Sequence, residues 1–149
     1  MSLFDDEDVL GGQFEEKAFG PHEGFAGVLL GASACDGYIA DEEVQSLMTT
    51  LGRMNLYQHV PPHRFSNMMD RLSGVLKRGG PEKLLDKSVP AVPPELAETA
   101  FVNAVDIVLA DGVVDDDEKE FIDSLMNKLD IDEKRAKTFI KVMVYKNKG

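Results

Sequence analysis

Apolar residues recur at helical intervals through most of this 149-residue chain. Residues 22–35 are mostly small and apolar, with Phe25, Val28, Leu29 and Ala32 on one face. Residues 41–54 set Val44, Leu47, Met48 and Leu51 at helical steps. Pro61 and Pro62 then open a segment carrying Phe65, Met68, Met69, Leu72, Val75 and Leu76. Proline fits a first helical turn, where its missing N–H has no partner to lose, so the pair predicts a helix start. Gly79-Gly80-Pro81 predicts its end, with a short turn of helix over 82–87. Val89-Pro90-Ala91-Val92-Pro93-Pro94 reads as a stiff connector, because each proline fixes its own φ and restricts the residue before it. Helix resumes over 95–110, with Ala97, Phe101, Ala104, Val105 and Val108 facing inward. Two more follow, over 116–129 (Phe121, Ile122, Leu125, Met126, Leu129) and 133–146 (Ala136, Phe139, Ile140, Met143, Val144). Strand-like alternation is confined to Tyr38-Ile39 and Val113-Val114, so the pattern predicts an all-α fold.

The pattern also repeats. A shift of 75 positions lays Asp36-Gly37 on Asp111-Gly112, Ile39 on Val114 and Glu43 on Glu118. Upstream it matches Leu30 with Val105; downstream it matches Leu47 with Ile122, Leu51 with Met126, Met54 with Leu129 and Leu56 with Ile131. One helix–loop–helix unit therefore occurs twice, in two pseudo-equivalent copies. The expected organisation is a single domain over 1–149. It comprises an acidic segment (1–20), a first unit (21–76), a connector (77–94) and a second unit (95–149). Helices 22–35 and 95–110 are expected to pack together about a pseudo-two-fold.

Each copy carries carboxylates at fixed spacing around a glycine, which can build a hard-cation site. A calcium-binding EF-hand loop places ligands at positions 1, 3, 5, 7, 9 and 12, with glycine at 6. Asp111, Gly112, Asp115 and Glu118 fall on positions 5, 6, 9 and 12; Asp36, Gly37 and Glu43 match three of these, with Ala40 at position 9. Positions 1 and 3 are apolar in both copies: Ile107 and Leu109, Ala32 and Ala34. Each copy is the back half of such a loop. Alone it should hold Ca²⁺ no better than ~10⁻⁴–10⁻³ M, the weak end for this ligand type. Facing each other, Asp36, Glu43, Asp111, Asp115 and Glu118 would pool into one Ca²⁺ or Mg²⁺ site.

Helix capping accounts for part of the same pattern without an ion. Gly37 and Gly112 stand where a helix C′ glycine belongs, and Asp115 with Glu118 has capping-box spacing. Capping explains Asp36 and Asp111 poorly, because an acid at a helix C-terminus opposes the macrodipole at roughly 0.3–1 kcal/mol. Ala40 is also a poor N-cap, so Glu43 is not fully explained.

Charge narrows the partners. The net charge is −11, which argues against nucleic-acid binding. Residues 1–43 hold eleven acids against Lys17, whereas 128–149 hold seven of the sixteen bases. That polarity suits electrostatic orientation of a partner, or solubility alone. The lone Cys35 allows no internal disulfide and fits a reducing compartment. The acidic start lacks a signal peptide's basic region, and no apolar run nears the ~20 residues of a membrane span. A cytoplasmic location is the expectation. His59 and His63 flank Pro61-Pro62, which prevents a helical metal-binding pair, and His22 reads as a solvated helix-start residue. Cys35 aligns with Ala110 and is expected to be a buried small residue rather than a reactive thiol. No nucleophile–base arrangement or phosphate-binding loop is present in the sequence, so no enzyme is expected.

At Ala34-Cys35-Asp36-Gly37-Tyr38-Ile39 with Asp41-Glu42-Glu43, and at Leu109 through Lys119, the chain resembles the TerB family of tellurite-resistance-associated proteins. The Leu125, Leu129 and Ile131 ending of the second copy adds to the likeness, which covers residues 20–146. The resemblance implies a compact bundle of seven to eight helices and acidic residues suspected of binding divalent cations. It further implies a non-enzymatic cytoplasmic role in stress response beside other Ter proteins. Ala40 departs from the acid at Asp115, which breaks the symmetry of any metal site. Two readings stand: a TerB-like protein binding a divalent cation weakly, and a purely structural protein-interaction domain whose acids only cap helices. An enzyme using the acids to hold Mg²⁺ for phosphoryl chemistry is a third class, disfavoured by the missing phosphate loop.

Overall fold

A computed structural model describes residues 18–35, 39–110 and 112–149. These residues form six α-helices and no strand: α1 (Pro21–Ser33), α2 (Asp41–Gly52), α3 (Pro62–Ser88), α4 (Ala97–Leu109), α5 (Asp116–Lys128) and α6 (Glu133–Lys146). Short 3₁₀ turns occupy Asn55–Tyr57, Val89–Ala91 and Pro94–Leu96. The all-α expectation holds. Seven to eight helices were expected, and six fall within the described residues.

Local chemistry sets the boundaries. Gly20 and Pro21 start α1, where the Gly20 N–H donates to Glu23 Oε1 at 3.0 Å. Asp115 starts α5 with a reciprocal box. Its N–H donates to Glu118 Oε1 at 3.0 Å, and its Oδ1 accepts from the Glu118 N–H at 2.8 Å. Asp132 caps α6 by accepting from the Lys134 and Arg135 N–H groups. After α4 the chain turns at Gly112, whose φ of 80° is a left-handed conformation that glycine adopts freely. Gly112 thus turns the chain, but with Ala110 as the C-cap it stands one residue beyond the expected C′ position; Gly37 lies outside the described residues.

The expected stop at Gly79-Gly80-Pro81 is a kink instead. Gly80 adopts φ 81° and ψ 177°, a region nearly closed to other residues, and helix resumes at Pro81. Pro81 lacks the N–H that an uninterrupted helix would use. The kink redirects residues 81–88 so that Leu84, Leu85 and Ser88 are fully buried. Part of the span read as connector is therefore core.

Helix α1 lies at the centre. Every residue from Gly24 to Ala32 is buried. Its main neighbours are α3, α4, α2 and the 89–91 turn. The expected packing of the first helices of the two units, α1 on α4, is present. Close approach at α1 depends on missing side chains: a Cβ built on Gly24 would lie 2.8 Å from the Ser88 carbonyl oxygen and 2.8 Å from Ala91 Cβ. Helix α4 in turn contacts α5 and α6. Each half thus sets its first helix against its own second and third helices.

Candidate functional site

The two acidic loops lie between matched helices. The 75-residue shift carries α1 onto 96–108, against an observed 97–109, and α2 onto 116–127, against an observed 116–128. Of the five candidate ligands, Asp36 and Asp111 lie outside the described residues. Glu43, Asp115 and Glu118 are described, and each sits in the first turn or cap of a helix. The Ala40 N–H donates to Glu43 Oε1 at 3.2 Å, as the Asp115 N–H does to Glu118 Oε1. The carboxylates therefore cap in both copies. The copies differ at the N-cap itself: Asp115 returns a hydrogen bond, and Ala40 has no side-chain acceptor to do so.

Among the described residues, no three His, Cys, Asp or Glu side chains gather closely enough to hold a metal ion. That statement leaves out Asp36 and Asp111, the two acids that capping explains least. Asp115 and Glu118 are brought together by their shared cap. Glu43 is on α2, which is not among the principal neighbours of α5. Cys35, expected to be buried, is half-buried in the turn after α1, packed against core residues.

A second correspondence, of two acids though not of their partners' positions, was not anticipated. Glu23 in the first turn of α1 pairs with Arg71 of α3. Its shifted counterpart, Glu98 in the first turn of α4, pairs with Arg135 of α6 through two hydrogen bonds of 2.5 and 2.9 Å. Each arginine also lies over a phenylalanine: Arg71 on Phe19 at 4.9 Å and Arg135 on Phe139 at 5.4 Å. The Arg135 hydrogen bonds hold the Glu98 carboxyl below its usual range. Elsewhere, Lys128 of α5 reaches Asp86 of α3 at 3.0 Å, and that contact raises the lysine's pKa.

A concavity lies away from the acidic loops. A cleft of about 670 Å³ opens between the start of α1, the 56–61 turn and the first turns of α3. His22, His59, Arg64, Asn67 and Arg71 supply its polar lining besides Glu23. One wall is pinned by Tyr57, whose hydroxyl donates to the His22 carbonyl at 2.7 Å. The His22 Nε2 lies 2.8 Å from the Leu56 carbonyl, which can only accept, so that nitrogen carries the hydrogen. The Tyr57 ring meets Phe65 edge-on at 5.5 Å, and burial pushes its phenol pKa well above 10. In the sequence, the 64–67–71 spacing on one helical face was the available signal. Nothing local revealed that His22 and His59 would stand beside it.

No helix among the described residues is long and apolar enough to cross a membrane. No protein-family model, curated protein or solved structure matches the chain.

Proposed function

We propose that this chain is a non-enzymatic, TerB-like stress-response protein. In this reading its two acidic loops bind a divalent cation, Ca²⁺ or Mg²⁺, weakly, and its surfaces engage other proteins of that response in the cytoplasm. The observation that supports it is the register of the two halves. A single shift matches the ends of the first two helices of each half to within one residue, and it pairs the Glu43 and Glu118 caps and the Glu23 and Glu98 carboxylates, although Arg71 falls on Lys146 and not on Arg135. Such correspondence fits a duplicated unit related by a pseudo-two-fold, with Asp36-Gly37 and Asp111-Gly112 at equivalent sequence positions.

The second reading, a structural interaction domain with no metal site, is favoured by the caps. Glu43, Asp115 and Glu118 each accept a backbone N–H or sit in a box without any ion. Melting curves with and without millimolar Ca²⁺ or Mg²⁺, at matched ionic strength, separate the two. A cation bound only by the native state at 100 times its dissociation constant adds about 2.7 kcal/mol, several degrees for a chain of this size. Glu118→Gln keeps an acceptor for the Asp115 N–H yet removes the charge, and Asp111→Asn removes the acid that capping does not explain. Both substitutions abolish the shift if the cation reading holds. No cation-specific shift in the wild type leaves the structural reading.

A further inference from the structure

We propose that the cleft between α1 and α3 is a binding site for a small organic anion, one carrying a phosphate or carboxylate on an apolar body. The inference is independent of the cation reading, since it uses none of the loop acids. The volume of about 670 Å³ falls within the range of small-molecule sites.

Charge in the cleft runs against the rest of the chain. The net charge is −11, yet two arginines and two of the three histidines line this opening. Among the described lining residues the one carboxylate, Glu23, is already engaged, and Arg64 is a lining charge that it does not meet. Glu23 gives one oxygen to the Gly20 N–H and the other to Arg71. That leaves Arg64, His59 and Asn67, whose polar ends make no hydrogen bond or ion pair with a described residue. A guanidinium, an imidazole and an amide offer donors to a phosphate or carboxylate, the arginine in a fork that matches two oxygens.

The remaining lining is apolar. Leu56, Val60, Pro61 and Met68 form a surface beside those donors, suited to a hydrocarbon or aromatic body. An inorganic ion would leave it uncovered. The frame is also held in place before any ligand arrives. The Tyr57 and His22 hydrogen bonds tie the start of α1 to the 55–57 turn, and Pro61 and Pro62 fix the entry to α3. Held walls lower the ordering cost of binding. Tyr57 acts here as a positioning residue, behind the wall rather than in the opening.

The test is titration of the isotope-labelled full chain with phenyl phosphate, benzyl alcohol and inorganic phosphate, followed by amide chemical shifts. Phenyl phosphate should give saturable shifts confined to residues 20–23, 56–61 and 64–71. Benzyl alcohol, with the body but no charge, and inorganic phosphate, with the charge but no body, should each bind at least about tenfold more weakly. Arg64 is exposed, so Arg64→Gln should leave the fold intact; it should weaken phenyl phosphate about tenfold, as loss of a charge-assisted hydrogen bond implies. Arg78→Gln, the same charge change on the same helix outside the cleft, should not. Tyr57→Phe should weaken binding while removing no group from the lining. Shifts spread along the basic helix α6 would overturn the proposal, as would equal effects of the Arg64 and Arg78 substitutions or benzyl alcohol binding as tightly as phenyl phosphate.

Discussion

Helices α1 and α4 are brought into register by the 75-residue shift of the sequence but live in different surroundings. Helix α1 is buried on every side from Gly24 to Ala32, whereas α4 buries one stripe, Ala100, Phe101, Ala104, Val105 and Val108. The shift pairs Gly24 with the exposed Thr99, Gly27 with the half-buried Val102, and Gly31 with Asp106, which binds Lys146. The face that carries glycines in α1 is the face on which Ser88, Ala91 and Phe121 rest. In α4 the equivalent face has larger or charged side chains. Similar local patterns thus produced one central helix and one amphipathic helix, and the small residues mark which is which.

The sharpest break in this comparison is steric. Gly24→Ala puts a methyl within 2.8–2.9 Å of backbone atoms of Ser88 and Ala91, which a side-chain rotation cannot relieve. A loss of about 2–3 kcal/mol is expected, roughly 5–10 °C in melting temperature. Thr99→Ala at the matched exposed site should change stability by less than about 0.5 kcal/mol. Equal effects at the two positions would mean that α1 does not pack as described.

The next contrast lies at the N-caps. Ala40→Ser should give α2 the acceptor that α5 already has and add about 1 kcal/mol, while Asp115→Ala should remove about as much. Urea unfolding of the two variants measures both. Opposite signs of similar size are the expected result, and a neutral Ala40→Ser would show that α2 contributes little to the cooperative unit.

The smallest effect concerns the ion pairs of the two matched glutamates. Glu23 is 20% exposed and Glu98 44%, so Glu23→Gln should destabilise more than Glu98→Gln. The lowered Glu98 pKa means its contribution is present above the ordinary carboxylate value. That contribution disappears as pH falls through the lowered folded value. Stability curves of wild type and Glu98→Gln should therefore run parallel near neutrality and converge as pH falls below the ordinary carboxylate range.

Much of the fold was legible because its signals are local. Helical spacing located every described helix, and Asp115 with Glu118 announced the start of α5. Two local signals were read too strongly. Gly80-Pro81 breaks the dihedral pattern without ending α3, because burial of Leu84 and Leu85 beyond the kink favours continuing the helix. Cys35 follows an apolar helix yet remains half-buried, in the turn where that helix has ended. The site features that went unseen depend on residues distant in sequence: Glu23 meets Arg71, Glu98 meets Arg135, and His22 reaches Leu56. No periodicity encodes such meetings. The loop acids Asp36 and Asp111 stood out in the sequence through repetition, which registers a duplicated residue whatever its role.

The central position of α1 has a consequence during synthesis. Its two faces are covered by parts of the chain made at different times: α3 follows closely, but α4 begins 76 residues after α1 does. At cellular rates of about 5–20 residues per second, that interval is roughly 4–15 s. Through it, a glycine-rich apolar helix waits on the nascent chain with one side uncovered. The first half is thus obliged to stay soluble before it can be complete, and the risk of early association with other chains is concentrated in residues 24–32.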